Sequence, residues 1–248
     1  MADADWRHDA ATAVLFLTRV PVPWIVPDVQ DRLARSTPWF PVVGMAVGAA
    51  GAVVWWAGAG LWGPLIGALL AVAATALLTG AFHEDGLADT FDGLGGTPDR
   101  ERALAIMKDS RLGTYGAVAL GLVLAGRVAA LAALGPAAPA ALVGAHALAR
   151  FSSLPLIRQL PYARADGGTG KSFAGGVSDR GLGAAALFTG LLTLSLWAGA
   201  ALSAWLAAAA IVLVLAAWFR RRLGGITGDT LGAANQGVEL AVYLALLA

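Results

Sequence analysis

The sequence predicts an all-α integral membrane helix bundle of about seven spans (range six to eight), with charged loops and short interfacial helices gathered on one side. Three observations lead there. Apolar residues make up 58% of the 248 and charged residues 13%, about half the charged share of a soluble domain. The apolar residues fall into runs near the ~20 residues that cross a bilayer as a helix. All the Lys and Arg except Arg127 lie in or at the edge of four segments, 1–37, 83–111, 150–180 and 220–229. The positive-inside rule places these segments in the cytoplasm. The opposite face carries almost no polar mass, which argues against a receptor. A net charge of +1 offers no field for nucleic acid, and the absence of Cys excludes a disulfide framework or a catalytic thiol.

The elements follow in order. Met1 to Asp9 lacks the apolar core and cleavage site of a signal peptide, so the first span is expected to remain in the protein. Pro21, Pro23 and Pro27 end a short amphipathic helix expected from about Asp5 to Thr18. Pro38 to Trp62 and Pro64 to Phe82 are uncharged, and the Trp62-Gly63-Pro64 junction makes them a hairpin. Thr97 followed by Pro98 reads as a cap with Pro at the first helical position, opening a surface helix over 98–110. Leu112 to Ala149 holds Arg127 and His146 as its basic residues, no acidic ones, and is divided by Gly135-Pro136-Ala137-Ala138-Pro139. Gly181 to Phe219 has no charge; as one helix it would run roughly 58 Å, nearly twice a ~30 Å hydrocarbon core. It is expected to fold back around Ala198 to Ser203. Leu231 to Ala248 forms the last span. Trp6, Trp24, Trp39, Trp62 and Trp218 fall near the expected interfaces. Gly44 and Gly48 permit close helix contact, within the chain or in a homo-oligomer. The whole of 1–248 reads as a single membrane-embedded domain.

The chemistry concentrates in one stretch. His83-Glu84-Asp85-Gly86-Leu87-Ala88-Asp89-Thr90-Phe91-Asp92-Gly93 places four carboxylates within nine residues, directly after an apolar run. On a helix Asp85, Asp89 and Asp92 stand at i, i+4 and i+7 and share a face. Such a stripe repels itself unless a cation lies among the carboxylates. A hard ion such as Mg²⁺, held by oxygen and shared with a phosphate, suits it; so does a solvated acidic helix start. Lys108 and Arg111 follow and could hold phosphate, or simply flank the next span. Gly167-Gly168-Thr169-Gly170-Lys171-Ser172 is not a Walker loop, because Ala165 stands where that pattern needs Gly. Asp229 is either an N-cap or a further ligand at the rim. Arg127 and Glu239 fall inside spans, where an isolated charge costs at least ~2.5 kcal/mol, and are expected to pair.

These residues resemble the cobalamin synthase family, the membrane adenosylcobinamide-GDP ribazoletransferases. The likeness rests on Phe16-Leu17-Thr18-Arg19-Val20-Pro21-Val22-Pro23, and on the block from Phe82 through Asp99-Arg100-Glu101-Arg102 to Met107-Lys108-Asp109-Ser110-Arg111-Leu112-Gly113. It extends to Gly170-Lys171-Ser172-Phe173 and Thr227-Gly228-Asp229-Thr230-Leu231-Gly232-Ala233. Glu84 departs from it, since an apolar residue is more usual there. The resemblance implies that α-ribazole or its 5′-phosphate attacks adenosylcobinamide-GDP and displaces GMP, with Mg²⁺, at the cytoplasmic face of the inner membrane. It implies a catalytic segment over 83–113. Asp85, Asp89, Asp92 and Glu84 would serve the metal, and Lys108, Arg111, Arg19 and Lys171 the phosphates. His83 or one carboxylate would take the proton. CDP-alcohol phosphotransferases, Asp-rich prenyltransferases and a transporter are the alternatives. The first are disfavoured because Asp89 follows Ala88 where their pattern has Arg.

Overall fold

Helix breakers, more than apolar length, divide this chain. The computed structural model describes residues 6–164, 173 and 176–248, and these form eleven α-helices with one isolated backbone bridge between Tyr162 and Ile226. α1 (Trp6–Leu17) and α2 (Val29–Ser36) lead into α3 (Phe40–Trp62) and α4 (Pro64–Thr79). α5 (Phe82–Gly96) and the short α6 (Arg100–Ile106) follow. α7 (Thr114–Leu134), α8 (Ala138–Gln159), α9 (Asp179–Trp197), α10 (Ala201–Leu223) and α11 (Gly228–Ala245) complete the chain.

The expected breaks are where the backbone departs from helix. Gly63 has φ +87° and Gly135 φ +52°, conformations that glycine adopts without a Cβ clash. The fold-back expected over 198–203 is a 3₁₀ turn at Ala198–Ala200, with Ala198 itself at φ +45°. By length and composition the stretches Val29–Trp62, Thr114–Gln159 and Asp179–Leu223 can cross a membrane. The pair α4 and α5, bent by 90°, adds a fourth if it forms one broken span.

Two expectations need correction. The cap of α6 is Asp99, whose carboxylate accepts the Arg102 N–H at 2.7 Å. Thr97 instead accepts the Asp99 N–H at 3.2 Å. Both side chains can cap, but here the hydroxyl is spent inside the preceding turn. The helix therefore starts at Arg100, and Lys108 lies beyond its end. Arg150, placed with the cytoplasmic charges, is buried within α8.

Close crossings are built on glycine. A Cβ on Gly44 would strike the His146 carbonyl and one on Gly48 the Leu142 carbonyl, so α3 lies directly on the α8 backbone. The contact expected of these glycines is therefore made within the chain. At Gly86 a Cβ would come 2.8 Å from the Asp229 carbonyl oxygen, and at Gly232 3.1 Å from that of His83. These two glycines bring α5 against α11. Around the loops, Arg100 donates to the carbonyls of Leu223 (2.7 Å) and Ala163 (2.6 Å), and Ala163 donates to Ile226 at 2.8 Å.

The core holds a charge network across four helices. Arg127 of α7 meets Glu239 of α11 at 2.7 Å and Glu84 of α5 at 3.2 Å. It also donates to Gln236 at 2.6 Å, and Gln236 donates to Glu84 at 3.2 Å. Arg150 of α8 pairs with the other oxygen of Glu239, beside His146. Arg127 and Glu239 are both fully buried, so the expected pair is present, with Arg150 and Glu84 as further members. Two guanidiniums face two carboxylates, and the cluster balances its own charge. Removing one member strands another in an apolar medium, which costs about 3–5 kcal/mol. Arg127→Leu and Glu239→Leu should each destabilise by about that much, and the double variant by clearly less than their sum. Equilibrium denaturation in mixed micelles measures this; additive losses would contradict the pairing.

Candidate active site at the α5–α11 crossing

α5 begins at a tight corner. Gly80 at φ +70° and Ala81 at φ +56° turn the chain out of α4, and at 100° per residue the new helix sends neighbouring side chains in different directions. His83 and Glu84 turn inward and are buried, Asp85 is exposed, and Asp89 is partly covered. Asp92, on the same stripe two turns on, is buried. The acidic face foreseen from spacing therefore exists as a stripe whose members live in different surroundings.

Each carboxylate has a distinct occupation. Both oxygens of Asp92 accept backbone N–H groups at the start of α7, from Gly113 at 2.7 Å and Gly116 at 2.8 Å. It fills the capping role that Gly113, without a side chain, cannot. Glu84 belongs to the Arg127–Gln236 cluster. Asp85 and Asp89 remain, and α11 adds Asp229. Of the two roles open to Asp229, the cap falls to Thr227, whose hydroxyl accepts the Thr230 N–H in a reciprocal capping box. Asp229 instead pairs with Arg164 at 2.7 Å and accepts from the Thr227 hydroxyl at 3.3 Å.

These carboxylates feel one another. Burial, then the negative charges of Asp85, Asp229 and Asp92, push the Asp89 carboxyl up to about 7, against the pull of Arg164. Burial also raises Asp229, with Arg164 and Thr227 opposing and Asp85 adding to the rise. Among the described residues, no three acidic or histidine side chains converge into an all-protein metal cage. A Mg²⁺-type ion needs only one or two carboxylates with water and phosphate oxygens. Asp85, Asp89 and Asp229 can supply those.

The cations are spread around this centre. Arg19 donates its backbone N–H to Leu78 at 2.8 Å, and its guanidinium covers Gly80, where a Cβ would collide with it. It therefore stands at the head of α5. Arg111 is exposed and held by Asp109, Nε to Oδ1 at 3.0 Å, which draws the Asp109 carboxyl down to about 2. The bond from Gly113 to Asp92 places the Lys108–Arg111 segment beside the C-terminal half of α5. Lys171 and its glycine-rich neighbours lie outside the described residues. His83 sits two residues from Asp85 and faces elsewhere, into a small pocket shared with Phe16, Phe40, Phe82, Phe173 and Arg150. Among the described residues its buried Nδ1 has no hydrogen-bond partner.

The sequence profile of the cobalamin-5-phosphate synthase family matches residues 9–247. The chain belongs to this family. The adenosylcobinamide-GDP ribazoletransferase of Leptothrix cholodnii is 49% identical over 246 residues, covering 95% of this chain and 93% of the relative. That of Ralstonia nicotianae is 44% identical with the same coverage. That of Rhizobium etli is 44% identical over 254 residues, 98% of this chain and 97% of its own. No solved structure matches the chain. Membership in the cobalamin-5-phosphate synthase family sets aside the CDP-alcohol phosphotransferase, prenyltransferase and transporter alternatives.

Two further side chains gain weight only in three dimensions. Arg164 precedes the rejected Walker-like loop, where the sequence leaves a phosphate-binding loop and a flexible connection equally open. Gln236 is not among the residues singled out from the sequence. For Gln236 there was a signal, since it lies three residues before Glu239 and so on the same side of α11. For Arg164 there was none, because its partner is 65 residues away.

The electrostatics have a measurable consequence. Folded, Asp89 keeps its proton to about pH 7, whereas its ordinary value is 3.8. The native state thus binds more protons between these values, and this group makes stability fall as pH rises from about 4 to about 7. With a chelator present, the Tm should decline over that window, and Asp89→Asn should flatten the decline. A slope unchanged by the substitution would count against the mutual repulsion.

Proposed function

We propose that this chain joins α-ribazole, or its 5′-phosphate, to adenosylcobinamide-GDP. GMP is released, and the product is adenosylcobalamin or its 5′-phosphate. The observation that carries the site is the α5–α11 crossing, which adds Asp229 to Asp85 and Asp89 beside Arg164. Near full-length identity to proteins named for this transfer supports the reaction.

The chemistry is displacement at a diphosphate. A ribazole hydroxyl attacks the phosphorus that carries the cobinamide, a new P–O bond forms, and the P–O bond to GMP breaks. Little covalent work falls to the protein, so positioning and charge dominate. Asp85, Asp89 and Asp229 would hold Mg²⁺, which when bound neutralises phosphate oxygens and the leaving GMP. Asp92 sets the angle of α5 against α7, and Glu84 ties α5 to the core; both support the set without joining it. Arg19 and Arg164 are aimed at the head of α5 and at Asp229, the two approaches to the acidic centre. Lys108 and Arg111 add to the basic surround, and Lys171 is carried as a phosphate ligand on the family resemblance alone. The hydroxyl proton passes to a carboxylate of this set, since His83 is turned into the aromatic pocket.

The breaks at Gly63, Gly135 and Ala198 support reading the long apolar stretches as hairpins, giving seven spans with α11 as the last. Lys and Arg then collect on the cytoplasmic face of an inner membrane, and that is where soluble substrates reach Asp85 and Asp89.

Purified protein given adenosylcobinamide-GDP, α-ribazole and Mg²⁺ should release GMP, and no release would refute the proposal. Asp89→Asn and Asp229→Asn should lower turnover by at least ~10²-fold, the size of losing one preorganised electrostatic contact, while keeping a cooperative thermal transition. A wild-type Mg²⁺ dependence in Asp89→Asn would remove Asp89 from the metal role.

A further inference from the structure

A second cleft lies away from the acidic centre. It has a volume of about 680 Å³ and runs between α1 and the non-helical stretch 22–25, walled by Trp6, Ala10, Val14, Val22, Trp24 and Ile25, with Arg7 also lining it. Its apolar walls are open: Trp6 is 57%, Trp24 50% and Ile25 90% exposed. A contiguous apolar patch of this kind marks an interaction surface. Trp6 stacks on Trp39 with ring centroids 5.9 Å apart. Trp39 immediately precedes α3, so the cleft stands where the first long apolar helix begins. Indole rings gather at that level of a bilayer. The Arg7 guanidinium lies over the Trp6 ring, 5.5 Å from its centroid, which puts a phosphate-pairing cation beside an apolar trough.

We infer that this cleft binds an anionic phospholipid of the adjacent leaflet, with acyl chain along Trp6, Trp24 and Ile25 and headgroup phosphate at Arg7. A soluble nucleotide would leave Ile25 and half of each indole in water, whereas a lipid continuous with the bilayer covers them. The position matters to the site, because α1 leads directly to Phe16 and Arg19. Phe16 meets the Phe82 ring edge-on at 5.3 Å, and Arg19 caps the corner at Gly80. A lipid holding α1 at the interface therefore holds the residues that crown the head of α5.

The chain has no cysteine, so Ile25→Cys offers a single labelling position for an NBD probe in nanodiscs of phosphatidylcholine and phosphatidylglycerol. The probe should be quenched by lipids spin-labelled near the headgroup and shielded from aqueous dithionite. In native mass spectrometry from an equimolar lipid mixture, wild type should favour retained phosphatidylglycerol by about fivefold, the ratio that ~1 kcal/mol per basic residue gives. Arg7→Gln should abolish that preference. Bleaching at the rate of a water-exposed label, an undiminished preference in Arg7→Gln, or displacement of the lipid quenching by α-ribazole 5′-phosphate would each overturn the inference. Neither readout depends on turnover, so the outcome stands apart from that of the proposed reaction.

Discussion

The pairing of Arg127 with Glu239 is the constraint on which the rest of the structure hangs. Two charges with no access to water demand partners, and the demand is met by α5, α7, α8 and α11 together. Apolar contact alone specifies helix arrangement weakly where the surroundings are themselves apolar. An ion network is directional: each guanidinium fork and carboxylate must be met at a given angle. Rotating α11 by one residue would withdraw Glu239 from both arginines and carry Asp229 away from Asp85. The buried network and the rim chemistry are thus two ends of one helix setting.

The acidic stripe on α5 shows how a single sequence motif divides its labour. Asp92 joins α5 to α7, Glu84 joins it to the core, and Asp85 and Asp89 are left to meet Asp229. Each oxygen of Asp92 accepts one backbone N–H, which fixes this carboxylate against the start of α7. The repulsion left on Asp89 is a consequence of the fold that fixes Asp229 opposite. Gly86 and Gly232 are the reason the two helices come near enough for that.

Much of this was legible beforehand, for physical reasons. Glycine, proline and the absence of charge are local signals, so the junctions at Gly63, Gly135 and Ala198 were visible in the order of residues. The identity of the reaction was carried by a long block of residues, Phe82 to Gly113, rather than by any geometry. What could not be read were pairings across distant sequence: Arg164 with Asp229, Arg150 with Glu239, and the capture of Asp92 by α7. Arg150 was misplaced because a residue at the end of an apolar run looks like a flank, and burial depends on what packs there. Asp99 displaced Thr97 as a cap because the two compete within one turn, where spacing offers no preference.

Arg100 fastens three separate connections, reaching both the residue that ends α10 and the one before Arg164. Ala163 is held a second time through Ile226. Arg164 therefore springs from an anchored point as it reaches Asp229. The Arg164–Asp229 pair is thus tied to the α10–α11 connection as well as to the end of α8. A change at Arg100, remote in sequence and absent from the chemistry, would loosen it.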